Sequence, residues 1–169
     1  DGMNIMISSI LDIGRTEGAQ FEQPKNIDLV EFIKYKTNDY NMLASKKSIT
    51  IKFSSNVSSF QIIIQETLFN QILQNFVQNA IKFTPNGKTI KIKLKKIDDK
   101  VILNVIDEGI GIDENIDVFA PFKKVGKENG VGLGLYLAKI ASDALNAKIS
   151  IKNREDGKNG AIAKLELNL

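Results

Sequence analysis

The stretch 89–107, TIKIKLKKIDDKVILNVID, alternates apolar and polar side chains with a period of two on both sides of Asp98-Asp99. Side chains of an extended strand point alternately to opposite faces. The pattern therefore specifies two strands, joined by a hairpin around Asp98, Asp99 and Lys100, each with one apolar face. Just upstream, ETLFNQILQNFVQNAIKFT (66–84) changes period. Leu68, Ile72, Leu73, Phe76, Val77, Ala80 and Ile81 recur at helical spacing, and Pro85 with the turn Asn86-Gly87 stops the helix.

The rest of the chain falls into place around these elements. ITIKFSS and FQIII read as strands, 132–145 as a helix entered through glycines, and AKISIKN and AIAKLELNL as closing strands around the turn Glu155-Asp156-Gly157. LVEFIKYKTNDYNMLASKK (29–47) reads as a helix with Asp28 as its N-cap; its stripe of Leu29, Phe32, Ile33, Tyr40 and Leu43 is interrupted at Lys36. Residues 17–27, EGAQFEQPKNI, read as a linker. Antiparallel runs of strands with helices on one side point to an α+β, two-layer sandwich. Near the N-terminus, Met3, Met6, Ile10 and Ile13 stand at the 3-4-3 spacing of a helix seam. Two readings fit it: the end of a longer helix, or a helix docked on its own domain. Two heptads are too short to dimerise the chain, so a monomer is expected.

Composition removes several chemistries. With no cysteine and no histidine among the 169 residues, disulfides, thiolate and imidazole metal sites, imidazole catalysis and phosphorylation of a resident histidine are all excluded. Net charge is +3 and the lysines are scattered along the chain, so nucleic acid is not an expected partner. No apolar run approaches the ~18 residues of a membrane span, and a cytoplasmic location is expected for this part of what reads as a longer protein.

Three places carry candidate chemistry. Asn75, Asn79 and Lys82 stand four and three apart on the helix at 66–84, so they share one stripe. An asparagine carbonyl can ligate a hydrated Mg²⁺ and a lysine can meet phosphate, but a solvated polar face has the same spacing. Asp107 closes a strand just before Gly109 and Gly111; the carboxylate can accept from a base's exocyclic amine while the glycines let backbone lie against the ring, or the glycines simply make a turn. Gly130, Gly132 and Gly134 lead into a helix, where exposed N–H groups suit phosphate, or form a plain loop. Between the clusters lie Phe119, Pro121 and Phe122, then Lys123, Lys124 and Lys127, which read together as a lid over a nucleotide.

In this order and spacing, NFVQNAIKFTPNG, DEGIGI, VFAPF and GVGLGL resemble the N, G1, F and G2 boxes of the histidine-kinase catalytic, ATP-binding domain, within the superfamily shared with gyrase, chaperone and mismatch-repair ATPases. The resemblance covers about 25–169, and it implies a mixed five-stranded sheet backed by three helices. Residues 1–24 resemble the end of that family's dimerisation and phosphoacceptor helix with its linker, a short N-terminal helix remnant.

Residue by residue, the resemblance implies Mg²⁺ ligation by Asn79, with Asn75 and Lys82 beside it towards the phosphates and Phe83 near the nucleotide. Asp107 reads adenine with Gly109 and Gly111 lining the base. Gly130, Gly132, Leu133 and Gly134 close on the phosphates, and Phe119 and Phe122 couple the lid to the phosphoacceptor helix. The cofactors implied are ATP and Mg²⁺; the partners are the upstream dimerisation domain and a response regulator receiver domain, within a full-length homodimer.

The chain departs from that pattern in places. Val131 stands where Thr or Ser is common, Lys123 or Lys124 replaces an Arg, Gln65 replaces a capping Asp, and Ala161-Ile162 replaces a Thr. Asn75 occupies the position of the glutamate that activates water in hydrolysing relatives, and an amide cannot take a proton. The chain is therefore expected to transfer phosphate to a histidine outside itself. An inactive nucleotide-binding scaffold and a hydrolysing ATPase of the same superfamily are the alternatives.

Overall fold

The computed structural model describes residues 2–122 and 132–169; the lid positions Lys123, Lys124, Lys127, Gly130 and Val131 lie outside the described residues. Helix α1 (Gly2–Ala19) is followed by β1 (Lys25–Asp28), α2 (Leu29–Ala44) with a 3-10 turn at Ser45–Lys47, β2 (Thr50–Ser55), β3 (Gln61–Ile64), α3 (Glu66–Phe83), β4 (Thr89–Ile97), β5 (Lys100–Ile106), α4 (Gly134–Ala144), β6 (Lys148–Asn153) and β7 (Ala161–Asn168). The main sheet runs β2-β4-β5-β7-β6, with β2 parallel to β4 and the other pairs antiparallel. It is the expected mixed five-stranded sheet backed by helices α2, α3 and α4.

The alternation read in the hairpin is realised by register. Ile92 faces Val105 and Leu94 faces Leu103 across β4 and β5, all four buried on the helix side. Helix α3 lays Leu68, Phe69, Ile72, Leu73 and Phe76 against this face, each at most 1% exposed, and forms the centre of the core. Where Lys36 breaks the stripe of α2, Thr37 turns inward and donates its hydroxyl to the Ile33 carbonyl at 2.7 Å, so the helix stays buried without an apolar residue there. Leu43, read as part of that stripe, is exposed.

The stretch read as a linker is largely structured. Helix α1 continues to Ala19, whose side chain is buried with that of Thr16 where the helix end meets α3 and α4. Ile10 and Leu11, further up, are exposed. The end of the helix thus docks on the domain through Thr16 and Ala19, and Ile13 of the seam is half-buried while Ile10 is exposed. Residues 25–28 then pair antiparallel with β3 as a separate two-stranded sheet. Lys-Asn-Ile-Asp has no alternation to announce a strand; it extends because its partners lie 33 to 39 residues further on at Gln61–Ile64.

Asp28 joins that small sheet to α2. Its Oδ1 accepts from the N–H groups of Val30 and Glu31, capping the helix, while Oδ2 accepts from the Ser59 hydroxyl and from Gln61 Nε2. The Ser59 hydrogen bond first, then those of the backbone, hold this carboxyl below its ordinary range. Asp28→Ala is expected to cost about 1–2 kcal/mol in urea unfolding at neutral pH. Because the folded-state pKa is lowered, the stabilisation is present above the ordinary carboxyl pKa and lost as pH falls through the folded one. Parent and variant stabilities should therefore converge in acid, and a pH-independent gap would remove the charge from the account.

Candidate functional site

Strand β5 ends at Ile106, and Asp107 continues it by one residue, donating its N–H to the Ala161 carbonyl at 3.0 Å. The side chain then folds back. Its Oδ1 accepts from the N–H of Gly109 at 2.8 Å and from that of Ala161 at 3.0 Å. Among the described residues Oδ2 has no hydrogen-bond partner. Burial pushes the carboxyl pKa up, while the hydrogen bonds from Gly109 and Ala161 and the charge of Arg154 pull it back. The result is a half-desolvated acceptor of fixed orientation.

Three further groups fix this strand end. Arg154, with its side chain 7% exposed, donates Nη1 to the Asp107 carbonyl at 3.1 Å and grips Asp156 through Nε and Nη2 at 3.0 and 2.6 Å. A Cβ on Gly160 would stand 2.1 Å from the Asp107 carbonyl oxygen, and its φ is +127°. Asn153, at the end of β6, clamps Ile112 through both its amide groups, at 2.8 and 2.9 Å. Gly111 sits against that clamp with φ +79° and no room for a side chain. Gly109 likewise has no space for a Cβ, which would lie 2.7 Å from the Phe83 carbonyl. Both glycines of the first cluster are thus required by close approach, and they bind the loop after β5 to the end of α3 and to β6.

The cavity beside Asp107 is walled by Phe76, Asn79, Ala80 and Phe83 of α3, by Gly111, Ile112 and Val118 of the following loop, by Leu135 of α4, and by Val105, Ile151, Ala161 and Ala163 of the sheet. Its walls are mostly apolar, with the Asn79 amide and the Asp107 carboxylate among them, which suits a flat heteroaromatic ring with one donor.

The structure brings together Asn79, Phe83, Asp107 and Gly111 from the residues singled out in the sequence. It separates Asn75 from them. Asn75 is 7% exposed, donates Nδ2 to the Gln71 carbonyl at 2.7 Å, and lies so near Gly134 that a Cβ there would be 2.7 Å from its Oδ1. It is a spacer between α3 and α4 and does not line the cavity. Lys82 lies over the ring of its neighbour Phe83, 5.1 Å from the centroid, outside the cavity wall. Gly132, with φ +75°, and buried Leu133 set the entry to α4. From VFAPF the cavity takes Val118, whereas Phe119 is half-buried and Phe122 is exposed with φ +61°. Ala161 faces the cavity, while Ile162 points to the opposite face of the sheet. Gln65 makes no side-chain cap on α3. Phe76, Ile112, Leu135 and Ile151 were not singled out as site residues, because each is indistinguishable from core until the fold places it.

Residues 64–169 match the model of the histidine kinase-, DNA gyrase B- and HSP90-like ATPase family, and the chain belongs to that family. Among curated proteins it is 31% identical to the sensor protein KdpD of Clostridium acetobutylicum over 96% of its own length, while spanning 18% of KdpD. Among solved structures it superposes with a TM-score of 0.83 on full-length ShkA in complex with AMPPNP, at 24% identity, covering 95% of this chain and 34% of ShkA. It also superposes on the catalytic domain of the histidine kinase ThkA, with a TM-score of 0.76 and 28% identity over 87% of this chain and 96% of that domain.

The tight packing at Gly160 makes a direct prediction. Gly160→Ala must displace the Asp107 carbonyl or the Arg154 side chain and also hold a strained φ, at a cost of about 2–4 kcal/mol. Calorimetry should show a melting temperature lower by roughly 5–15 °C. Gly157→Ala in the same turn meets no atom within 4 Å and should cost less.

Proposed function

We propose that this chain is the ATP-binding catalytic part of a sensor histidine kinase, which transfers the γ-phosphate of ATP to a histidine outside the chain. The observation that carries this reading is the clamped Asp107 carboxylate at the end of a ring-sized apolar cavity. With Oδ1 spent on Gly109 and Ala161, Oδ2 is the acceptor for an exocyclic amine, and the walls of Phe83, Ile112, Val118 and Ile151 enclose the ring. From the α3 wall Asn79 offers an amide carbonyl to the same cavity. Among the described residues no cluster of three acidic side chains could hold a metal. One amide oxygen fits Mg²⁺ in the form that keeps several waters and bridges phosphates, so Asn79 is the residue that would hold it. When bound, Mg²⁺ supplies charge neutralisation across the phosphates. Lys82 neighbours this wall as a point charge.

The position of the water-activating glutamate holds no base. Asn75 carries an amide and is buried between two helices. The chemistry then depends on a nucleophile from elsewhere, since the chain has no histidine. The dimerisation helix ending in α1, with residues 1–24 as its last part, is the expected source within a longer homodimer, and a response regulator receiver domain is the expected next acceptor. Among the described residues no helix is long and apolar enough to cross a membrane.

Two experiments test the reading. Asp107 pays for its position, because burial raises its pKa and so opposes folding at neutral pH, a penalty relieved only as pH falls through that raised pKa. Asp107→Asn keeps the acceptor for Gly109 and Ala161 but presents the wrong group to the amine. ATP affinity by calorimetry should fall roughly tenfold or more, while the melting temperature at neutral pH stays level or rises. An unchanged affinity would take Asp107 out of the site.

The second experiment follows radiolabelled ATP with the purified chain. Binding should gain from Mg²⁺ in the parent and not in Asn79→Ala, with almost no phosphate released and no self-labelling. Adding a separate helical domain that bears the parent histidine should restore transfer weakly. Robust release by the chain alone, abolished by Asn79→Ala, would make it a hydrolase instead.

A further inference from the structure

The face of the main sheet away from the helices has a composition that the linear sequence hides. Register assembles it in rows. One row reads Lys52, Lys91, Ile106, Ile162, Lys152 across β2, β4, β5, β7 and β6. The next reads Ser54, Lys93, Asn104, Lys164, Ser150, and a third reads Lys95, Ile102, Glu166, Lys148. Lys100 joins at the end of β5, where its Nζ reaches Glu166 at 2.7 Å. Lysines that look dispersed along the chain are thus gathered, eight of them with one acid, into a strand surface of charge +7. The whole chain carries +3, so the remainder is net negative by four.

Arg154, Glu155 and Asp156 of the β6–β7 turn border the same face beside Lys91 and Lys93 and bring its net charge to +6; within the strands themselves the charge is not neutralised. Glu166 is the partner of both Lys100 and Lys164, which hold its carboxyl down to about 2. The other six lysines form no ion pair among the described residues. Lys52 and Lys91 stand directly opposite each other on neighbouring strands, an arrangement that costs stability. Between the charges lie isoleucines: Ile97 is 46% exposed, and Ile102, Ile106 and Ile162 are half-buried.

We propose that this face docks on an anionic lipid surface. Five strands at about 4.8 Å make a front roughly 20 Å wide, and a fluid headgroup layer can bring negative charge to each lysine wherever it stands. Clusters of four to eight lysines suit such a surface. Lysine stems also let ammonium groups reach headgroups while isoleucine meets the boundary beneath. Nucleic acid fits less well. The outward strand positions carry no arginine to fork onto a base or phosphate and no aromatic ring to stack. The nucleotide cavity lies on the helix side, walled by α3, so docking leaves it open and the proposal stands apart from the reading of that cavity.

The test is sedimentation of the 169-residue chain with vesicles of phosphatidylcholine alone or mixed with phosphatidylserine, at low and at raised salt. Partition is expected onto the mixed vesicles only, weakening with salt. K91Q/K93Q/K95Q should reduce it roughly a hundredfold, and K152Q/K164Q, at the other edge, several-fold. K34Q/K36Q/K46Q, which removes as much charge from the helix side, should change it little. A melt reports folding, and the first triple variant, relieved of the Lys52–Lys91 repulsion, should melt no lower than the parent. Absence of partition would overturn the proposal, as would equal loss in the two triple variants. Partition onto a DNA duplex that depends on Lys91, Lys93 and Lys95, without partition onto mixed vesicles, would reassign the face to nucleic acid.

Discussion

The site depends on one carboxylate oxygen. Asp107 Oδ1 takes two backbone N–H groups, one from the loop that follows it and one from the start of β7, so a single atom both shapes its own loop and joins it to a segment 54 residues further on. A buried carboxylate without partners would protonate or pull the loop open. With two amides it keeps its charge, and its second oxygen is aimed. The grip of Arg154 on the Asp107 main chain, anchored in turn by Asp156, and the bare backbone of Gly160 are both conditions for that geometry. The turn 154–160 therefore acts as a splint for an acid some fifty residues earlier.

Much of this was legible from local pattern. The β4–β5 hairpin and α3 announce themselves by period, the cap at Asp28 by its place before an apolar run, and the glycines at 109 and 111 by their spacing after a strand end. Such signals are short-range. What escaped was set by partners far away in the chain. β1 extends only because β3 is there to pair with it. Val118 enters the cavity while Phe122 faces solvent, because the backbone turns at 122 with a positive φ that a phenylalanine in the sequence does not reveal.

Asn75 shows the limit most clearly. Its spacing from Asn79 and Lys82 places it on one stripe, and the stripe is real, but α4 covers part of it. Gly134 lets that helix approach until the amide is enclosed. A helix face in isolation does not say which of its residues another helix will cover. The lysines behave alike: alternation predicts that they face outwards, but only the register between strands shows that they face outwards together.

The strand order bears on how the chain reaches this structure. β4 and β5 are joined by two residues and β6 and β7 by seven, so both hairpins close at little entropic cost. Strand β2 must instead join β4 in parallel, across an intervening strand and the whole of α3. Contacts of such separation are rewarded late and slow the search. The pairing of β5 with β7 joins residues 56 to 68 apart, further still than the 39 between β2 and β4, so on these grounds the two hairpins form first and the seam between them, which Asp107 locks, is the last to close.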